Sequence, residues 1–369
     1  MSQDWPILHA GPALLRAETF DEARTALDSI ESLARRHGQL VGYFGYELGQ
    51  LFEDLPHHAH DDLRLPLLAF AAPTNPTTGS PVPIARATES LRSTFSRDAY
   101  CTAVQRSIDY IAAGDIFQVN LSQRLSVPTR ARAADIFAHL QSRYPARHPA
   151  LLDFGDFAIV SNSPELFFEI TPLPDGRRRI VNRPIKGTRP NAPGMHDELL
   201  RSLKDHAELA MIVDLQRNDL GRICEIGSVR VTQPRIIETH PTVLHGVAEI
   251  EGILRDDVTL PDILRAIFPC GSITGCPKIR AMQIIDELEP VARGPYCGAI
   301  GRIHASGAMS FSVAIRTMTL KHNTAHLGVG GGIVADSDPE SEYEETLVKA
   351  HALLASLGVD ATHWKALRS

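Results

Sequence analysis

Apolar residues recur at spacings of three and four from Phe20 through Ala23, Leu27, Ile30 and Leu33, which predicts a helix over residues 18 to 35 with Gly38 just beyond it. Leu40 to Glu47 reads as a strand with glycine interruptions. Ser96 is a good N-cap, and Tyr100, Val104, Ile108 and Ile111 fall on one face, so a second helix runs to Gly114. From Phe117 to Leu125 apolar and polar residues alternate, the period of a strand with Gln118, Asn120 and Ser122 on its polar face. That face either lines a cavity or meets solvent. Strands at Phe157 to Val160 and Leu166 to Ile170, with a turn at Pro174-Asp175-Gly176, form a hairpin leading toward Lys186. Helices are predicted over 197–219, 260–268 and 279–288, strands over 297–304, 309–320 and 325–329, and a closing helix from Pro339 to Leu357.

Strands arrive in groups between long helices, without regular β-α alternation. This pattern predicts an α+β fold: antiparallel sheets forming a sandwich flanked by helices, in one compact unit. Proline, threonine, serine and glycine accumulate between Ala71 and Pro83, so a short N-terminal part, residues 1–90, is expected to complete the sheet of a main domain over residues 95–360.

Composition narrows the function classes. The 369 residues are 43% hydrophobic with a net charge of -7, and Lys and Arg form no block, which argues against a nucleic-acid partner. No run approaches ~20 apolar residues, and Met1 to Pro6 opens no basic-then-apolar leader. The expectation is a cytoplasmic protein without membrane contact. Five cysteines with no CxxC pair fit a reduced environment, and His57, His58 and His60 lie in a proline-flanked polar loop unsuited to a fixed metal site.

The chemistry gathers at Arg183-Pro184-Ile185-Lys186-Gly187-Thr188-Arg189. Proline stiffens the entry and glycine allows close approach to a ligand, so Lys186 is a candidate nucleophile; in isolation it reads as a solvated loop lysine. Asp205 with Glu208, and Glu342 with Glu345, are acids three apart on two helices, each pair on one face. A hard cation between the two helices, Mg²⁺ by ligand type, would relieve their repulsion, and Lys349 falls one turn beyond Glu345. Two solvated helix faces would show the same spacing. Gly328 to Gly332 fits neither nucleotide fingerprint, and a small carboxylate is the better guest for its backbone N–H groups, with Arg316 as bidentate partner. His245 and Tyr296 taken alone are structural.

Together, Ser161-Asn162-Ser163-Pro164-Glu165, Pro184 to Thr188, His206 to Asp219, Gly271 to Lys278 and Gly330 to Ser337 resemble the chorismate-utilising enzymes, which include anthranilate, aminodeoxychorismate, isochorismate and salicylate synthases. The resemblance covers roughly residues 95 to 357. It implies Mg²⁺ held directly by Glu208 and Glu345, with Asp205 and Glu342 acting through water, on the ring carboxylate of chorismate. Tyr296, Arg316 and the amides of Gly330 and Gly332, in the run that includes Gly331, match positions contacting the enolpyruvyl carboxylate. Thr188, next to Gly187, and His245 match positions near the ring, and Glu165 matches the general acid and base. Water-adding relatives carry a lysine base where this chain has Gln118, and anthranilate synthases resemble Pro-Ile-Ala-Gly-Thr where this chain has Lys186. The resemblance is therefore closest to component I of aminodeoxychorismate synthase: amination of chorismate at C4 through a covalent Lys186 adduct at C2, on the route to 4-aminobenzoate and folate. Ammonia would come from a separate glutamine amidotransferase subunit, because the chain carries no glutaminase module. Anthranilate synthase component I and a catalytically silent chorismate-binding subunit are the alternatives.

Overall fold

The computed structural model describes residues 7–74, 91–240 and 243–359. Two sheets dominate it. In the eight-stranded sheet the order is Leu8–Ala10, His148–Asp153, Ala158–Ser163, Thr317–Lys321, Thr324–Ile333, Gln118–Pro128 and Gly275–Cys276, with Arg92–Ser93 also pairing Gln118–Pro128. The ten-stranded sheet runs Ile185–Pro190, Val243–Leu254, Arg178–Arg183, Leu166–Pro172, Met309–Val313, Ala299–His304, Gln39–Phe44, Leu68–Ala71 and Leu15–Ala17, with Arg230–Thr239 also on Val243–Leu254. Pairing between these strands is antiparallel except between Leu8–Ala10 and His148–Asp153. The expected α+β sandwich is therefore the observed fold.

Alternation along Gln39–Phe44 shows how the layers form, because successive side chains leave a strand on opposite faces. Val41 and Tyr43 pack with Leu152, Phe157 and Ile159 of the other sheet, while Leu40 and Phe44 join the cluster under helix Phe20–His37. Phe311 stacks between Phe44 and Phe168, at 5.2 and 5.0 Å between ring centroids. The far face of the eight-stranded sheet is covered by helices Ala133–Arg143 and Pro339–Ser356.

Four predicted elements differ. The helix over 197–219 is two, Met195–Arg201 and Leu203–Gly221, because Ser202 leaves helical geometry and caps the second through Asp205 N at 3.3 Å. The strand over 309–320 is also two, in different sheets, divided at Arg316, which adopts φ +50°. The strand over 325–329 continues through the whole glycine run, as Thr324–Ile333. The predicted hairpin is Leu166–Pro172 with Arg178–Arg183, while Ala158–Ser163 lies in the other sheet. Most of the connection over 71–83 lies outside the described residues.

The polar face of Gln118–Pro128 is buried, not solvated. Beneath it, Arg293 forks onto Glu289 (2.6 and 2.8 Å) and donates to the carbonyls of Ile273 and Asn120, while Glu289 also accepts from Ser122. Both side chains are at most 4% exposed. Glu289→Ala should cost about 3–5 kcal/mol in urea unfolding by stranding the guanidinium, and combining Glu289→Leu with Arg293→Met, which removes both charges and keeps the volume filled, should recover most of it. Equal losses in the single and double variants would contradict this.

Candidate active site

Lys186 lies on a bulged strand: the pairing of Ile185–Pro190 with Val243–Leu254 shifts between Ile185 and Thr188. Gly187 makes the kink at φ +82°, where a Cβ would also lie 2.8 Å from Asp205 Cγ. A Cβ on Gly332 would stand 3.5 Å from Lys186 Nζ and 2.8 Å from Gln118 Nε2, so the lysine faces the glycine strand at its closest approach. Burial lowers the Lys186 pKa, and the nearby Glu208, Glu165 and Glu345 work against that.

Glu165 sits where the chain crosses from one sheet to the other and is 3% exposed. Ser272 Oγ donates to its Oε1 at 2.7 Å. Burial pushes the carboxyl up to about 7, against the opposing pull of Ser272 and Lys186. It can therefore hold a proton at neutral pH. Ser272, itself 3.2 Å from Cys270 Sγ, is a site residue that the sequence reading passed over. Its signal was a hydroxyl held in the glycine-flanked Gly271 to Gly275 segment.

The glycine strand presents donors because of its register. Gly330 and Gly332 oppose Ser122 and Asn120, whose N–H groups go instead to Glu289 and to Thr274 O. These are non-hydrogen-bonded pairs, so the Gly330 and Gly332 N–H groups turn away from Gln118–Pro128. On their other side, pairing with Thr317–Lys321 stops at Leu327. The turn at Arg316 takes the neighbouring chain away and leaves that edge open. Gly330 O, on the same edge, accepts from Lys349 Nζ at 2.9 Å. Tyr296 lies flat against Gly328, where a Cβ would be 2.2 Å from its ring. Burial lowers the Arg316 pKa, opposed by Tyr296 and Glu345, and its Nη1 donates to Lys349 O at 3.3 Å. Thr188 Oγ1 and His245 Nδ1 are 2.9 Å apart, and burial, with His240 and Arg316, pulls His245 down to about 4, which keeps it neutral.

The four acids are unequal. Asp205 pairs with Arg189 at 3.0 Å, and Glu342 accepts from Ser337 Oγ at 2.7 Å. Burial, joined by repulsion from Glu345, lifts the Glu342 carboxyl above its usual range. Burial also pushes Glu345 upward, but Lys349 at 2.6 Å, with Lys204 and Lys186 beyond, outweighs it and holds the carboxyl low. Among the described residues no three Asp, Glu, His or Cys side chains surround one point. Asp205 and Glu342 are committed to Arg189 and Ser337, so Glu208 and Glu345 are the carboxylates of the four that would hold Mg²⁺ directly, with water and substrate oxygens for the rest.

Among the described residues no helix is long and apolar enough to cross a membrane. The family described as chorismate binding enzyme matches residues 6–355. Anthranilate synthase component 1 of Thermus thermophilus is 39% identical, covering 93% of this chain and 84% of its own. Among solved structures, anthranilate synthase component I from Streptococcus pneumoniae superposes with TM-score 0.76 at 29% identity, over 88% of this chain and 85% of that one. The menaquinone-specific isochorismate synthase of Escherichia coli shares the fold, with TM-score 0.73 at 18% identity over 94% and 84%.

Proposed function

The chain belongs to the chorismate binding enzymes, and from that premise we propose that it aminates chorismate at C4, as component I of an aminodeoxychorismate synthase. The observation that carries this reading is Lys186, on a bulged strand facing Gly332, with a lowered pKa and Glu165 as its proton-bearing neighbour. In the proposed sequence the neutral Lys186 amine bonds to C2, the ring double bonds shift, and the C4 oxygen leaves as water with a proton from Glu165. Ammonia then bonds to C4, the bond from Lys186 to C2 breaks, and one proton returns to Glu165. Arg316, Tyr296 and the amides of Gly330 and Gly332 would hold the enolpyruvyl carboxylate, with Thr188 and His245 along the ring. Gly331 brings the strand close to the acids, since a Cβ there would be 2.9 Å from Glu342 Oε2. Lys349 steadies Glu345. Bound Mg²⁺ would supply charge neutralisation at the ring carboxylate.

The reading includes a glutamine amidotransferase subunit as ammonia source. A second reading, anthranilate synthase component I, is favoured by the relatives' names: the Thermus thermophilus and Streptococcus pneumoniae proteins carry that one. There ammonia would bond at C2 and pyruvate would be eliminated, leaving Lys186 without a covalent role. Product identification by mass spectrometry, from chorismate, Mg²⁺ and ammonium salt, separates the two. Aminodeoxychorismate is the expected product, and anthranilate with pyruvate overturns the proposal in favour of the second reading.

Glu208→Gln tests the metal assignment. It should raise the Mg²⁺ concentration needed for half-maximal chorismate binding by at least about tenfold, since a carboxylate ligand is exchanged for a neutral amide. A titration curve matching the unmodified protein would remove Glu208 from the metal shell.

A further inference from the structure

A second cavity, of about 420 Å³, lies between the 3-10 helix Tyr46–Leu51, the loop that follows it, and helix Lys278–Leu288. None of the candidate active-site side chains lines it. One part of its wall is apolar, with Leu55, Leu63, Leu65, Met282, Ile285 and Val291, and the rest carries polar and charged groups, Tyr46 and Glu47 among them. We propose that this cavity binds a small amphipathic amine, with its ammonium group on the Glu47 carboxylate and its apolar body against the leucine wall.

The argument rests on which charges are already committed. Glu289 is taken by Arg293 and Ser122, Asp286 by the amides of His58 and Ala59, Asp61 by the amide of Arg64, and Glu18 by Arg16. Glu47 accepts the backbone N–H groups of Arg293 and Gly294, at 2.7 and 2.9 Å, and forms no ion pair among the described residues. Burial pushes its carboxyl up to about 7. Beside it the hydroxyl of Tyr46, a residue 5% exposed, has no hydrogen-bond partner among the described residues. A buried hydroxyl is normally paired and a buried carboxylate normally meets a cation, so the two groups together call for a charged, donor-bearing guest.

The guest's charge follows. Five carboxylates line the cavity against one arginine, and that guanidinium is spent on Glu289, Ile273 O and Asn120 O. An anionic ligand would meet repulsion with no free cation to hold it. A purely apolar one would leave Glu47 without a countercharge and the Tyr46 hydroxyl without a partner, whereas a protonated amine can donate to both while its body displaces water from the apolar wall.

Isothermal calorimetry with phenethylamine at pH 8 tests this, beside 3-phenylpropionate and 2-phenylethanol, which share its apolar body but not its charge. One equivalent of the amine is expected to bind, at least tenfold tighter than either analogue, without displacement by chorismate. Glu47→Gln should weaken it at least tenfold. Leu63→Trp, which fills the cavity and removes no hydrogen bond, should abolish it with the melting temperature retained. Equal affinity for the three probes, unchanged affinity in either folded variant, or competition with chorismate would overturn the proposal. If Glu47→Gln fails to fold, Leu63→Trp decides alone.

Discussion

Lys186→Ala is expected to cut aminodeoxychorismate formation by a factor on the order of 10³ or more, while chorismate affinity changes only a few-fold. The split follows from the site. In the proposed reading Lys186 supplies the attacking electron pair, whereas the substrate carboxylates would be held by Arg316, Tyr296, the glycine amides and a metal on Glu208 and Glu345; of these, Lys186 acts on Glu208 and Glu345 only through charge. Gly332 lies close to Lys186 Nζ, so the truncated side chain leaves a space that ammonia or water can fill without closing the pocket. Single-turnover product formation and equilibrium chorismate binding, measured on the same preparations, separate the two effects. Unchanged turnover, or unchanged anthranilate output, would take the lysine out of the mechanism.

Glu165→Gln is the second large effect, a loss of about 10²–10⁴ in turnover, because the C4 oxygen then has to leave without a positioned proton. Its pH signature is more specific than its size. The acid form of Glu165, with its pKa near 7, is populated below that value and lost above it. The unmodified protein should therefore lose rate as pH rises through about 7, and the glutamine variant should lose that limb. Ser272→Ala removes a hydroxyl that favours the ionised carboxylate, so the limb should move to higher pH rather than vanish. A limb that persists unchanged in Glu165→Gln would assign the titration to another group.

The sequence was most informative where chemistry repeats at short range. Spacings of three on two helices marked Asp205 with Glu208 and Glu342 with Glu345, and the strand period of Gln118 to Leu125 was visible although its burial was not. Burial there depends on Glu289 and Arg293, more than 160 positions away, which no local pattern encodes. Arg316 stood out in the sequence as a candidate carboxylate partner. Its left-handed backbone, and the change of sheet that opens the glycine edge, depend on how Met309–Val313 and Thr317–Lys321 are shared between layers. The inequality of the four acids was equally hidden, since it rests on Arg189, Ser337 and Lys349 choosing different partners. Ser272 went unnoticed because a serine in a glycine-rich turn looks like turn chemistry until its neighbour across the fold is known.

As the proposed receptor for a substrate carboxylate, the Gly330 and Gly332 amides have a consequence for anyone who would alter this protein. A receptor made of main chain has no rotamers to select, so it meets a carboxylate with little ordering cost. It is also invisible to alanine scanning, which trims side chains that glycine does not have. Bulkier residues there would report only steric intrusion on Gln118 or Ser122. Deleting the recognition itself takes an amide-to-ester exchange introduced by semisynthesis, one N–H at a time, with the strand otherwise left as it is.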